Sequence, residues 1–184
     1  MGFALNIRSD HPSAHGIAEL WDEVSAFEDN ASMRALGYAP HFTFAMYDSG
    51  AIDPETAWKA LQRASANEAQ QRMVFRRMRY FDGSPLVLWA ELESAAALAR
   101  IHRSVHARID PALCRPHYRP GAWVPHCTLG VRVRDDHRDQ ALDFARSFNR
   151  VIEVIFDVVD CVTYPAVRIV SERRLPASTA QPQA

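Results

Sequence analysis

With 184 residues, 48% of them hydrophobic, and a formal net charge of -1, the chain can build one well-buried core or two small lobes sharing one, but not two enzyme-sized domains. The near-neutral balance argues against a protein that coats polyanions and against double-stranded DNA as a partner, while leaving room for a local basic groove. Cys114, Cys127 and Cys161 are scattered, with no C-x-x-C spacing, so neither a disulfide framework nor a thiolate zinc site is expected.

No window approaches the roughly 18 apolar residues of a membrane span, and no charged leader precedes an apolar run. The expectation is a soluble cytoplasmic protein with no membrane partner. Lys59 is the sole lysine and sits on a helix-like stretch, so ATP-driven nucleotidyl transfer lacks an activated nucleophile.

Taken in chain order, residues 3–7 read as a short apolar strand. Residues 15–27 follow with Ile17, Leu20, Trp21, Val24 and Phe27 at helical spacing. Residues 41–47 alternate as a strand, and Asp48-Ser49-Gly50 reads as a turn. Asp53-Pro54-Glu55 opens a second helix, to about residue 66, with an acidic cap and proline in its first turn. Residues 72–81 and 86–91 flank Asp82-Gly83-Ser84-Pro85, a hairpin signal.

Ser94 reads as the cap of a third helix, to residue 109. Pro111, Pro116, Pro120 and Gly121 then mark a loop before a strand at 123–133. Residues 135–149 form a fourth helix, 151–163 and 166–173 a final strand pair, and 176–184 a polar, disordered tail. Each half holds a strand, a following helix and a closing hairpin. That order predicts an α+β fold: a single domain over residues 1–175, with two pseudo-symmetric lobes of antiparallel sheet, outer helices and a central cleft.

Within that order one pattern occurs twice: Pro40-His41-Phe42-Thr43-Phe44 and Pro125-His126-Cys127-Thr128-Leu129. Side chains alternate along a strand, so the His and Thr of each copy share a face. Imidazole exchanges protons near neutral pH, and two imidazoles on one cleft supply an acid and a base. The repeat makes His41, Thr43, His126 and Thr128 the catalytic candidates.

Two H-x-T-apolar motifs in duplicated lobes resemble the two-histidine (2H) phosphoesterase superfamily, which includes 2′-5′ RNA ligase and cyclic phosphodiesterase branches. The resemblance implies that both His and both Thr line one phosphate site, with no metal or other cofactor. It implies a small nucleotide or an RNA end carrying a phosphodiester as the substrate. The activity expected from it is metal-independent opening of 2′,3′-cyclic phosphates or related phosphodiesters. A nucleotide-binding or RNA-end-binding module without turnover, and an ATP-independent 2′-5′ RNA ligase, are the alternatives. The polar end of the first motif strand departs from the RNA-ligase-like branch and leaves branch and substrate open.

Further substrate contacts are sought by alternation and composition. Tyr47 and Arg132 fall on the faces of their motif histidines, and Arg77 and Arg79 share a face of the strand before the hairpin. Tyr118 and Trp123, in the loop before the second motif, are candidates for base stacking. His102 and His106 stand four apart on the third helix, but no third metal ligand is placed beside them by sequence.

Overall fold

The computed structural model describes residues 2–178. The strands are β1 (Gly2–Arg8), β2 (His41–Asp48), β3 (Gln71–Phe81), β4 (Leu86–Leu92), β5 (Cys127–Val133), β6 (Ile152–Phe156), β7 (Val158–Tyr164) and β8 (Arg168–Arg174). The helices are α1 (His15–Ser25), α2 (Ser32–Ala35), α3 (Pro54–Ala64), α4 (Ala96–His106) and α5 (Arg138–Ser147). Residues 176–178 carry no regular structure; the rest of the expected tail lies outside the described residues.

Two four-stranded antiparallel sheets result, ordered β2-β1-β7-β8 and β5-β4-β3-β6. The α+β class with helices around two sheets is as expected, but the lobes are not sequence halves. The units β1-α1-β2 and β4-α4-β5 are equivalent, and each passes its next long strand to the other: β3 pairs with β4, and β7 with β1. The motif strands β2 and β5 occupy corresponding edge positions.

The expected strand at 151–163 is two strands in different sheets, divided at Asp157. This buried residue leaves both ladders: its carboxylate accepts from the Asp10 N–H (2.8 Å) and pairs with Arg174. Its own N–H donates to the Arg8 carbonyl (3.1 Å), and its carbonyl accepts from the Leu175 N–H (2.8 Å). Every polar group at the crossover is thereby satisfied without sheet pairing.

One core fills the space between the sheets. Phe42 of β2 meets Phe75 of β3 and Phe156 of β6, with ring centroids 6.2 and 5.0 Å away. Helix α1 buries Ile17, Leu20, Trp21 and Val24 on one stripe, the arrangement its spacing predicts. Helix α3 starts where Asp53 accepts from the Thr56 N–H (2.9 Å), a cap worth about 1 kcal/mol. The Ser94 cap does not form: α4 begins behind Ala95, with no side-chain cap. No described helix is long and apolar enough to cross a membrane.

Candidate active site

Both motifs build the same local device. Each proline-histidine step turns the imidazole so that Nδ1 donates to the carbonyl two residues upstream, His41 to Ala39 (2.9 Å) and His126 to Val124 (2.7 Å). A carbonyl only accepts, so the Nδ1 proton is fixed and Nε2 is the nitrogen available to a ligand. Aromatic rings brace both: Tyr38 lies 4.8 Å from His41, and Phe81 stands edge-on 5.0 Å from His126.

His41, Thr43, His126 and Thr128 line one cavity of about 210 Å³, shared with Asn6, Tyr38, Met46, Tyr118 and Tyr164. None of the described lining residues is Arg or Lys. Burial pulls His41 down to about 4, against the bond to Ala39, and the neighbouring His126 lowers it further. Burial also lowers His126, opposed by its bond to Val124. An anion bound between the rings raises both, because a negative charge favours each protonated form.

A second chamber, of about 540 Å³, shares Met46, Tyr118, His126 and Thr128 with this cavity. Phe81, Val87, Val124 and Val131 give it apolar walls, and Arg115 and His117 add cationic or titratable groups. Arg115 pairs with Asp48 at 2.7 Å.

The alternation rule fails at the same place in both motif strands. Asn6 pairs with Thr43 but Leu5 with Ala45, leaving Phe44 as an extra residue. Trp89 pairs with Thr128 but Leu88 with Gly130, leaving Leu129 as an extra residue. A β-bulge one residue past each Thr flips the side chains that follow it, and β5 shifts register a second time between Gly130 and Val133. Tyr47 is therefore fully buried in the core and Met46 takes the cavity position. Arg132 is exposed and lines neither chamber, and it is Val131 that lines the second one.

Both bulges are anchored from outside the strand. Glu28 Oε1 accepts from the Val131 and Arg132 N–H groups (2.9 and 2.8 Å), and the Trp21 indole donates to the Thr128 carbonyl (3.0 Å). On β2, the Trp123 indole donates to the Thr43 carbonyl (2.9 Å), and the Arg115 N–H to the Met46 carbonyl (2.9 Å). Edge groups that would otherwise invite another strand are thus covered.

This corrects the stacking expected of Trp123, whose ring lies flat on His102, 4.1 Å between centroids, behind the cavity. Tyr118 does line both chambers. Arg79 is exposed, pairs with Glu91 at 3.0 Å and stands opposite Trp89, two strands from Thr128. Arg77 lines a separate surface depression with Arg76 and Glu93. His102 Nε2 donates to the Tyr118 carbonyl (2.8 Å), and the ring packs against His106.

Sequence reasoning missed Asn6, Tyr38 and Met46 in the lining and the groups behind them. Asn6 of β1 stands opposite Thr43 of β2 on one side and Asp160 of β7 on the other. Asp160 is fully buried and accepts from Arg8 (2.7 Å), Tyr38 (2.6 and 2.7 Å) and Asn6 (3.1 Å). The polar character of Asn6 and Arg8 in a seven-residue buried strand was the available signal.

A crystal structure of TT0787 from Thermus thermophilus is similar to the chain, with a TM-score of 0.62 at 18% identity, covering 96% of this chain and 99% of the other. That likeness concerns the fold. No curated protein matches the chain. The profile of the 2′-5′ RNA ligase superfamily matches residues 10–167, a span that includes both His-x-Thr strands, and the chain belongs to that superfamily of 2H phosphoesterases.

Proposed function

We propose that the protein is a phosphodiesterase that opens 2′,3′-cyclic phosphates, or related nucleotide and RNA phosphodiesters, by acid-base catalysis with His41 and His126. The observation that carries this reading is the convergence of both imidazoles, with matching Nδ1 anchors, on the cavity that also holds both Thr hydroxyls.

In-line displacement at phosphorus places nucleophile and leaving oxygen on opposite sides. One neutral Nε2 takes a proton from water as its oxygen attacks, and one protonated Nε2 gives its proton to the departing ribose oxygen. These two groups complete the proton inventory, so the mechanism has no step that calls for a Lewis acid. With no Arg or Lys among the lining residues, the imidazolium also meets the charge of the phosphodiester. The apolar second chamber suits a nucleobase or another flat, weakly polar group.

The test is turnover of 2′,3′-cyclic nucleotides in EDTA, with His41→Ala and His126→Ala beside the wild type. A bell-shaped pH profile and the loss of nearly all activity in both folded variants are expected. Full activity in either variant defeats the proposal, and binding without turnover in the wild type favours a non-catalytic module. Membership of the 2′-5′ RNA ligase superfamily favours one second reading, joining of RNA ends without ATP. In that case a 2′-hydroxyl replaces water as the nucleophile. Incubation of RNA bearing a 2′,3′-cyclic phosphate with a 5′-hydroxyl RNA distinguishes the two.

A further inference from the structure

The two halves of the cavity match in geometry and differ in chemistry. Across one sheet the row beside Thr43 runs Thr43, Asn6, Asp160; across the other the row beside Thr128 runs Thr128, Trp89, Arg79. Thr43 Oγ1 donates to Asn6 Oδ1 at 2.8 Å. That direction is fixed, because Asn6 Nδ2 faces the Asp160 carboxylate and the Tyr38 oxygen. Turning the amide over would set its carbonyl oxygen against the carboxylate.

The Asp160 carboxylate is itself held by the Arg8 guanidinium and the Tyr38 hydroxyl. With its only proton committed to Asn6, Thr43 offers a ligand nothing but lone pairs. Opposite Thr128 stands Trp89, an indole with no acceptor, whose own N–H is buried without a partner among the described residues. Thr128 keeps its proton for a ligand oxygen.

Building on the two-histidine reading, we propose that Asn6 is a positioning residue that assigns the His41 half to the attacking water and the His126 half to the phosphoryl group. Water gives one proton to His41 Nε2 and one hydrogen bond to Thr43 Oγ1, which leaves a lone pair directed at phosphorus. As the new P–O bond forms, His41 takes the first proton. The P–O bond to ribose breaks, its electron pair goes to the leaving oxygen, and His126 Nε2 supplies the proton there. Thr128 donates to a non-bridging oxygen. Solvent then returns each imidazole to its starting state.

The experiment runs 2′,3′-cyclic nucleotide turnover in mixed water and methanol and measures the ratio of phosphomonoester to methyl phosphodiester. Methanol has one O–H, which serves His41 and leaves nothing for Thr43, so the Thr43 contact favours water selectively. Thr43→Val and Asn6→Leu are expected to shift the ratio toward the methyl ester by about fivefold, the factor carried by one hydrogen bond of ordinary net strength. Thr43→Ser keeps the wild-type ratio, and Thr128→Val slows both products equally.

The ratio is blind to the amount of folded enzyme, because both products come from the same active molecules. An unchanged ratio in Thr43→Val overturns the assignment even if Asn6→Leu does not fold, and so does a shifted ratio in Thr128→Val. If instead the wild type turns over no cyclic substrate, the two-histidine reading itself fails, and this one with it.

Discussion

Asp160→Ala removes the single carboxylate on which Arg8, Tyr38 and Asn6 converge. Asp160 is wholly buried and the Arg8 side chain nearly so, at 0% and 5% exposure. Breaking such a pair costs about 3–5 kcal/mol when the surviving charge loses its partner. Arg8 retains Asp10 and Glu172, which argues for the lower end from charge alone. The Tyr38 hydroxyl and Asn6 amide then lose an acceptor as well, each at about 1 kcal/mol or more. A total near 5 kcal/mol corresponds to a fall of roughly 10–20 °C in Tm for a chain of this size. Circular dichroism melts and urea titrations at pH 7 measure it. Asp160→Asn, which keeps the volume but presents an N–H₂ to Arg8, is expected to recover only the part due to shape. A fall in Tm of less than about 3 °C in Asp160→Ala refutes the view that this carboxylate is the keystone beneath Thr43.

Tyr47→Phe deletes a buried hydroxyl with no partner among the described residues, so stability is expected to hold or rise by up to about 1 kcal/mol. Its kcat/KM on a cyclic nucleotide should match the wild type, and a tenfold loss would put Tyr47 back at the site. Glu28→Ala leaves the N–H groups of Val131, Arg132 and Ser32 without their carboxylate. A loss of about 2–4 kcal/mol in urea unfolding is expected, with wild-type stability as the refuting result. His41 and His102 are both drawn to about 4, chiefly by burial. Their unfolded forms bind more protons between that value and about 6.5, so stability is full above pH 7 and falls as pH drops through this window. The slope reaches up to about 1.4 kcal/mol per pH unit for each imidazole. Urea melts from pH 7 to 4.5 test this, and a flat profile down to pH 5 contradicts it.

The sequence reading located the catalytic candidates and misplaced their neighbours, for one physical reason. A strand's period of two is reliable only up to the first bulge, and both motif strands carry theirs one residue past the Thr. His41 and Thr43 precede the insertion and share a face as expected, while Tyr47 follows it and lands in the core. Arg132 repeats the error on β5, where Gly130 leaves room for Glu28: a Cβ there would meet the Val24 side chain 2.6 Å away. Glycine in a strand is a recognised sign of a bulge or a close approach, so the break in β5 was legible. The break in β2 was not, since Phe44-Ala45 contains nothing that local sterics demand. The crossing at Asp157 is equally silent, because the partners that release it from the ladder, Asp10 and Arg174, are set by the long-range fold.

Duplication also explains why the reading treated the two motifs as interchangeable. A repeated His-x-Thr describes what each strand shows the ligand, whereas the proton on each Thr is governed by the residue across the ladder. That residue comes from β1 in one half and β4 in the other, and the two have diverged to Asn6 and Trp89. Exchange of the long strands then places a carboxylate, Asp160, beyond Asn6 and an arginine, Arg79, beyond Trp89. On the proposed mechanism, in-line attack uses unlike groups on the two sides of phosphorus, and cross-strand partners that differ are one way for a symmetric scaffold to supply them. Symmetry-breaking therefore belongs one strand behind the motif, where no pattern in the motif itself records it.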